Sequence, residues 1–160
     1  MLRSKKLFLL LLVVGLVCSS VLWAGGKTEG KPVKIGALVP LTGALSEFGQ
    51  GFRLAGDLAS EQLAEAGFPI DIRYGDTETS AIPGVEAART LVNIERVVAL
   101  VGAASSGVTI PVAESVAIPN QIPQISNAST SPLITYLPAD EGKDFLFRTT
   151  ASDALQGVVL

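Results

Sequence analysis

Apolar positions along the chain change their period again and again. Residues 33–39 (VKIGALV) form an apolar, β-rich run that stops at Pro40, a residue that cannot continue a central strand. From 48 to 66 the spacing becomes helical: Phe48, Phe52, Ala55, Ala59 and Leu63 share one face, with Leu54 and Leu58 beside it. Gly67 is placed to cap that helix at its C-terminus. Ile70, Ile72 and Tyr74 then alternate with polar residues, as in an edge strand. Val85, Ala88, Leu91 and Val92 predict a second helix with Pro83 near its start, and residues 97–101 (VVALV) a fully buried strand. A third helix is predicted over about 108–117, with Pro111 in its first turn and Pro119 just past its end. Short strands follow at 122–126 and 145–148.

Helices of this length between apolar strands predict βαβ crossovers, hence an α/β fold with a doubly wound parallel sheet. A ligand of such a sheet sits beyond the carboxyl ends of the strands, where the strand order reverses. Three loops fall there: 40–43 (PLTG), 102–107 (GAASSG) and 127–131 (NASTS). All are rich in Gly, Ser or Thr, small groups that hydrogen-bond but supply no acid, base or metal ligand.

The segment 102–109 (GAASSGVT) misses the phosphate-binding pattern G-x-x-x-x-G-K-[ST] at one position, where Val108 replaces lysine. Without that charge nothing neutralises a phosphate, so nucleotide hydrolysis is disfavoured. Gly49-Gln50-Gly51 begins a dinucleotide fingerprint, but its third glycine would fall on Leu54. The geometry that remains is a strand, a turn of small residues and a helix N-terminus with its N–H groups facing the crevice. Ser105 and Ser106 read either as helix caps or as hydroxyls that hold a small carboxylate.

The N-terminus concerns address. Arg3, Lys5 and Lys6 precede an apolar stretch at 7–17, followed by Cys18, Ser19 and Ser20, the layout of a secretory signal peptide. Cleavage is expected at Ala24-Gly25-Gly26. Cys18 offers a lipoprotein alternative, though Gly15 and Val17 before it are not the usual lipobox residues. Residues 1–26 are read as signal peptide and 27–32 as a flexible leader. Removing the first 26 residues takes the basic count from 12 to 9 against 15 acidic residues, moving the net charge from −3 to −6. The acidic balance argues against nucleic acid as a partner. The chain has no histidine and one cysteine, so a Ser-His-Asp triad, a histidine metal site and a disulfide framework are excluded.

The sequence resembles a known family. Ile35-Gly36, Val39-Pro40-Leu41-Thr42-Gly43, Phe48-Gly49 and Gly56 are similar to the opening of the leucine/isoleucine/valine-type periplasmic binding proteins. The likeness continues in collinear order through Asp76-Thr77, Val101-Gly102-Ala103-Ala104-Ser105-Ser106 and Ile122-Pro123-Gln124-Ile125-Ser126. It extends over Thr130-Ser131-Pro132, Phe145-Leu146-Phe147-Arg148-Thr149, Asp153 and Gln156-Gly157. The resemblance implies two α/β lobes closing on a ligand, of which 33–148 would be part of lobe one and 149–160 the crossing to a second lobe. It implies a carboxylate-binding role for Ser106, with Ser105 and the backbone of Ala104 beside it. A second cluster, Ser129 and Thr130, would grip carboxylate and ammonium groups. Phe48 would border the ligand or, equally, staple its own helix. Asp76 reads as a turn or helix cap rather than an ammonium partner.

Together these imply an extracytoplasmic, non-enzymatic component of an ABC importer. It would take up branched-chain amino acids or related amides and carboxylates, need no cofactor and meet permease subunits at the membrane. A ligand-sensing receptor module of the same fold is the alternative. No nucleophile–base pair that would make a secreted enzyme can be named.

Overall fold

A computed structural model describes residues 31–159; the signal-peptide reading of 1–26 and most of the leader lie outside them. Five strands, β1 (Val33–Val39), β2 (Ile70–Asp76), β3 (Ala99–Val101), β4 (Gln124–Ser126) and β5 (Leu146–Arg148), form one sheet in the order β2-β1-β3-β4-β5. Every neighbouring pair is parallel, so all carboxyl ends open along one edge. The chain steps from β1 outward to β2 and then back past β1 to β3. The order therefore reverses between β1 and β3, the point at which sheets of this kind take a ligand.

Helices α1 (Ser46–Glu65), α2 (Ala81–Thr90) and α3 (Ser106–Val112) make the crossovers, and a short α4 (Gln156–Val159) follows β5. Both α2 and α3 run on into a wider π turn, Leu91–Glu95 and Ala113–Ala117. Side chains alternate across a strand, and the two faces of this sheet are covered unequally. Leu38 and Leu100 pack with Ala88, Leu91, Val108, Val112 and Val116 of the α2 and α3 segments, and this is the main core. On the opposite face lies α1, beside Tyr74 and Ile72.

The approach of α1 to the sheet is made by small residues. A Cβ on Gly49 would stand 2.1 Å from the Pro40 carbonyl oxygen, and one on Gly56 2.5 Å from the Tyr74 hydroxyl. That hydroxyl donates to Asp57 Oδ1 (2.7 Å), with the Arg53 carbonyl also within reach (3.0 Å), and Ser60 Oγ donates to the Ile70 carbonyl (3.0 Å). Burial first, then the hydrogen bond and charge of Asp57, push the Tyr74 phenol up to about 12, against the opposing charge of Arg53. Most of the apolar stripe read from the sequence therefore does not face the sheet: Phe48, Leu54, Leu58 and Leu63 are exposed, Phe52 is half-buried, and only Gly49 of the helix is buried.

Other boundaries also differ. The strand expected at 97–101 is ordered only over three residues and is not fully buried, since Val98 and Val101 are exposed. Val101 pairs with Ile125 and Ile125 with Phe147 in one cross-strand row. That row lies on the α1 side but away from α1, and all three side chains are exposed. The third helix begins at Ser106, two residues earlier than predicted, which puts Pro111 inside it rather than in its first turn. Proline removes an intrahelical N–H donor, and the helix loosens into its π turn two residues later. The Gly67 cap is present, with φ of +89°, and β2 is indeed an edge strand. Among the described residues no helix is long and apolar enough to cross a membrane.

Candidate ligand-binding site

The three small-residue loops all lie at the carboxyl edge of the sheet. The first is fixed by Asp76, at the end of β2. Its Oδ1 accepts N–H bonds from Leu41 (2.9 Å), Thr42 (3.2 Å) and Glu78 (2.9 Å), and its Oδ2 accepts the Thr42 hydroxyl (2.7 Å). Burial alone would push this carboxyl up. The bonds from Glu78, Thr42 and Leu41 outweigh it and hold the group below its ordinary value. Asp76 thus ties the loop after β1 to the turn after β2, as the reading of it as a cap anticipates.

The second loop follows β3. Gly102 has φ of +109°, and a Cβ there would stand 2.3 Å from the Leu38 carbonyl oxygen, so only glycine permits this contact between β3 and β1. The next carbonyl, that of Ala103, is buried and accepts three hydroxyls: Thr109 (2.9 Å), Ser126 (2.6 Å) and Ser129 (3.2 Å). Gln124 Nε2 donates to the Gly102 carbonyl (3.1 Å) from beneath. Thr109, Gln124 and Ser126 are fully buried. They are the polar scaffold that sequence reading did not assign. Its one signal was Gln124, a long polar side chain among apolar strand residues.

This network changes the reading of Ser129. Its side chain is buried and its hydroxyl lies within bonding distance of the Ala103 and Ala104 carbonyls and of Thr109 Oγ1, while its N–H donates to Ser126 Oγ (3.0 Å). A hydroxyl held in this way joins the second and third loops to each other and does not face the crevice. The capping role weighed for Ser105 and Ser106 also meets a correction. Ser105 occupies the N-cap position of α3, but its side chain makes no cap bond, and its carbonyl instead accepts the N–H groups of Val108 and Thr109.

Ser106 is the first residue of α3 and is half-buried. Its Oγ accepts the Ser131 N–H at 3.2 Å. This bond bridges the second and third loops and leaves the Ser106 hydroxyl proton without an acceptor among the described residues. The N–H groups of Ser106 and Gly107 likewise have no partner there, nor do the N–H and carbonyl of Ala128. Thr130, also half-buried, donates its hydroxyl to Asp153 Oδ2 (2.7 Å). Ala104 is buried beside Ser105, and Phe48 is half-exposed at the start of α1.

The third loop is gripped from behind by the segment after β5. Arg148 Nη1 donates to the carbonyls of Ser131 (2.8 Å) and Thr130 (3.2 Å), Thr150 Oγ1 to that of Ser129 (3.0 Å), and the Asp153 N–H to that of Thr130 (2.9 Å). A separate hollow of about 640 Å³ runs along the outer edge of β5, lined by Tyr136, Leu137, Asp140, Phe147 and Arg148 among others. It belongs to the open sheet edge rather than to the three loops. Among the described residues no cluster of three or more acidic, cysteine or histidine side chains is arranged to hold a metal.

A parallel sheet of this order, with unpaired N–H groups and hydroxyls at its carboxyl edge, is the architecture of a small-molecule binding lobe. Residues 32–160 match the family described as Periplasmic binding protein, and the chain belongs to that family. It is 34% identical over 137 residues to the chemotactic signal transduction system substrate-binding protein BasB of Halobacterium salinarum, covering 82% of this chain and 33% of that protein. It is 27% identical over 132 residues to Leu/Ile/Val-binding protein homolog 3 of Brucella melitensis, covering 80% of this chain and 34% of that protein. The fold superposes with a TM-score of 0.68 and 26% identity on the branched-chain amino acid transporter substrate-binding protein LivJ of Streptococcus pneumoniae, solved with isoleucine, over 78% of this chain and 35% of that one. The chain therefore spans about a third of the length of the relatives it matches. These relatives are binding proteins, not enzymes.

Proposed function

We propose that the protein is the extracytoplasmic substrate-binding component of an ABC importer for a branched-chain amino acid or a closely related small carboxylate. Residues 33–148 form part of the first lobe and 149–160 the crossing toward a second. Permease subunits in the membrane are its partners, and export rests on the 1–26 signal peptide. The observation that carries the reading is the Ser106 hydroxyl. Its oxygen is already held by the Ser131 N–H, so its proton is left for an incoming acceptor. The unpaired N–H groups of Ser106 and Gly107 lie at the same helix N-terminus, where negative charge is favoured. A carboxylate at that point accepts all three. Ser105, the backbone of Ala104 and the unpaired N–H of Ala128 border it, Thr130 faces the other end of the ligand, and Phe48 flanks the crevice. Ser129 supports the two loops from inside.

The test is Ser106→Ala in the full-length protein. Losing a hydrogen bond to a charged group costs about 1.5–3 kcal/mol, or roughly 10- to 150-fold in affinity. A modest loss of stability, about 0.5–1.5 kcal/mol for the Ser131 N–H bond to Ser106 Oγ, is expected beside the loss of affinity. Unchanged affinity for every small carboxylate that the protein binds would remove Ser106 from the site.

A second reading, a ligand sensor, is favoured by one observation: the relative at 34% identity is described as part of a chemotactic signal transduction system. Co-purification with permease and ATPase subunits supports the importer, and co-purification with a transducer supports the sensor.

A further inference from the structure

Gln124 interrupts an apolar row. Its register partners, Leu100 on β3 and Leu146 on β5, belong to the two core clusters, and Gln124 lies between them, itself 0% exposed. Its Nε2 donates to two carbonyls, those of Gly102 (3.1 Å) and Thr109 (3.3 Å). These are the first and last residues of the GAASSGVT segment, so one amide group holds both ends of the stretch that carries Ser106 and Gly107. The orientation of the amide is forced, because turning it over would set its oxygen against the same two carbonyl oxygens. As it stands, Oε1 has no hydrogen-bond partner among the described residues. A buried acceptor left unpaired costs stability, and an apolar side chain of the same shape would avoid that cost. Departures of this kind from good packing are expected where function requires them.

We propose that Gln124 is a positioning residue: it clasps the two ends of the 102–109 segment and so fixes the hydroxyl and N–H groups that Ser106 and Gly107 present to a ligand. This rests on the amino-acid reading above and adds to it a residue buried beneath the site. Each end of the segment has a second anchor of its own. The Thr109 carbonyl also accepts the Ala113 N–H within the helix, and the Gly102 N–H donates to the Ile125 carbonyl of β4. The clasp is what joins the two anchors through the backbone. The other bond across the segment, from the Thr109 hydroxyl to the Ala103 carbonyl (2.9 Å), leaves the helix by a side chain. Donors held in place before the ligand arrives bind without the cost of being ordered, and tolerances in such sites are about 0.5 Å.

The experiment is a double-mutant cycle in the full-length protein, with L-leucine affinity read by calorimetric titration and stability by urea unfolding. Gln124→Met keeps the size of the side chain and removes the donor. It is expected to weaken leucine binding about tenfold, the low end of what losing a supporting bond costs at metal sites. The urea midpoint should change little, because one buried oxygen is unpaired before the substitution and one, that of Gly102, after it. In a Ser106→Ala background the same substitution should cost only about threefold, since the Ser106 hydroxyl, part of what the clasp positions, is already gone. Gln124→Leu supplies the cycle if Gln124→Met does not fold. Equal loss in both backgrounds, or unchanged affinity, would overturn the positioning role and leave the amino-acid reading standing. A wild-type protein that binds none of L-leucine, L-isoleucine and L-valine would overturn both.

Discussion

Replacing Ser126 by alanine removes one oxygen and breaks two buried hydrogen bonds of different kinds. The hydroxyl donates to the Ala103 carbonyl at 2.6 Å and accepts the Ser129 N–H at 3.0 Å. The first loss is mild, because the Ala103 carbonyl keeps the hydroxyls of Thr109 and Ser129. The second leaves a buried N–H with no partner, since Ser129 is 1% exposed and water does not reach it. A net bond of about 0.5–1.5 kcal/mol and an orphaned donor of about 1–3 kcal/mol together give roughly 1.5–4.5 kcal/mol of lost stability. Thr109→Val is the matched comparison. It removes a hydroxyl bonded to the same carbonyl, but every former partner keeps another bond, so about 0.5–1.5 kcal/mol is expected. Urea unfolding of both variants, followed by circular dichroism, separates the two values if the slope stays constant. The reasoning fails if Ser126→Ala costs no more than Thr109→Val, because the orphaned N–H is the whole of the difference.

Three other outcomes follow from the packing and charge described above. Gly49→Ala should destabilise by about 1–3 kcal/mol, as overpacking does, although alanine is the better helix former; Gly51→Ala, with nothing within 4 Å, should instead gain up to about 1 kcal/mol. Denaturation of the pair gives opposite signs if α1 lies on Pro40 as described. The Asp76 carboxyl sits below its ordinary value, so its contribution is fully present above the unfolded pKa of about 3.9 and is lost as pH falls through the lower folded value. Asp76→Asn should lower stability at neutral pH and flatten the acid limb of the stability–pH curve, and an unchanged limb would count against the Asp76 bonds. The Tyr74 phenol, raised to about 12, stabilises the fold below its unfolded pKa of about 10 and loses that contribution between about 10 and 12. Ultraviolet difference titration of wild type against Tyr74→Phe should show this late ionisation.

The architecture was legible because the hydrophobic period switches cleanly between about two and 3.6. The β1 boundaries were read without error, since Pro40 marks the end of the strand. The strand-end loops rich in Gly, Ser and Thr do lie together at the carboxyl edge of the sheet, as the alternation of elements predicts. What the pattern could not show was which small residues face inward. α1 carries a conspicuous apolar stripe, yet it meets the sheet through Gly49, Gly56 and Ser60, because short side chains let the helix axis come close. Nor can composition separate a hydroxyl that builds a loop from one that serves it. Ser126 and Ser129 are buried and bonded to one carbonyl system, whereas Ser106 and Thr130 are half-buried and bonded on one side only. That distinction depends on partners distant in sequence, such as Ser131 for Ser106 and Asp153 for Thr130.

The most direct measurement is calorimetric titration of the full-length protein with L-leucine, L-isoleucine and L-valine, with 4-methylpentanoate alongside. Saturable one-to-one binding of at least one of the three amino acids, tighter than that of the des-amino acid and weakened about tenfold or more by Ser106→Ala, is the predicted result. Absence of heat and of any thermal stabilisation with all three amino acids would contradict the assignment of this crevice to an amino-acid carboxylate.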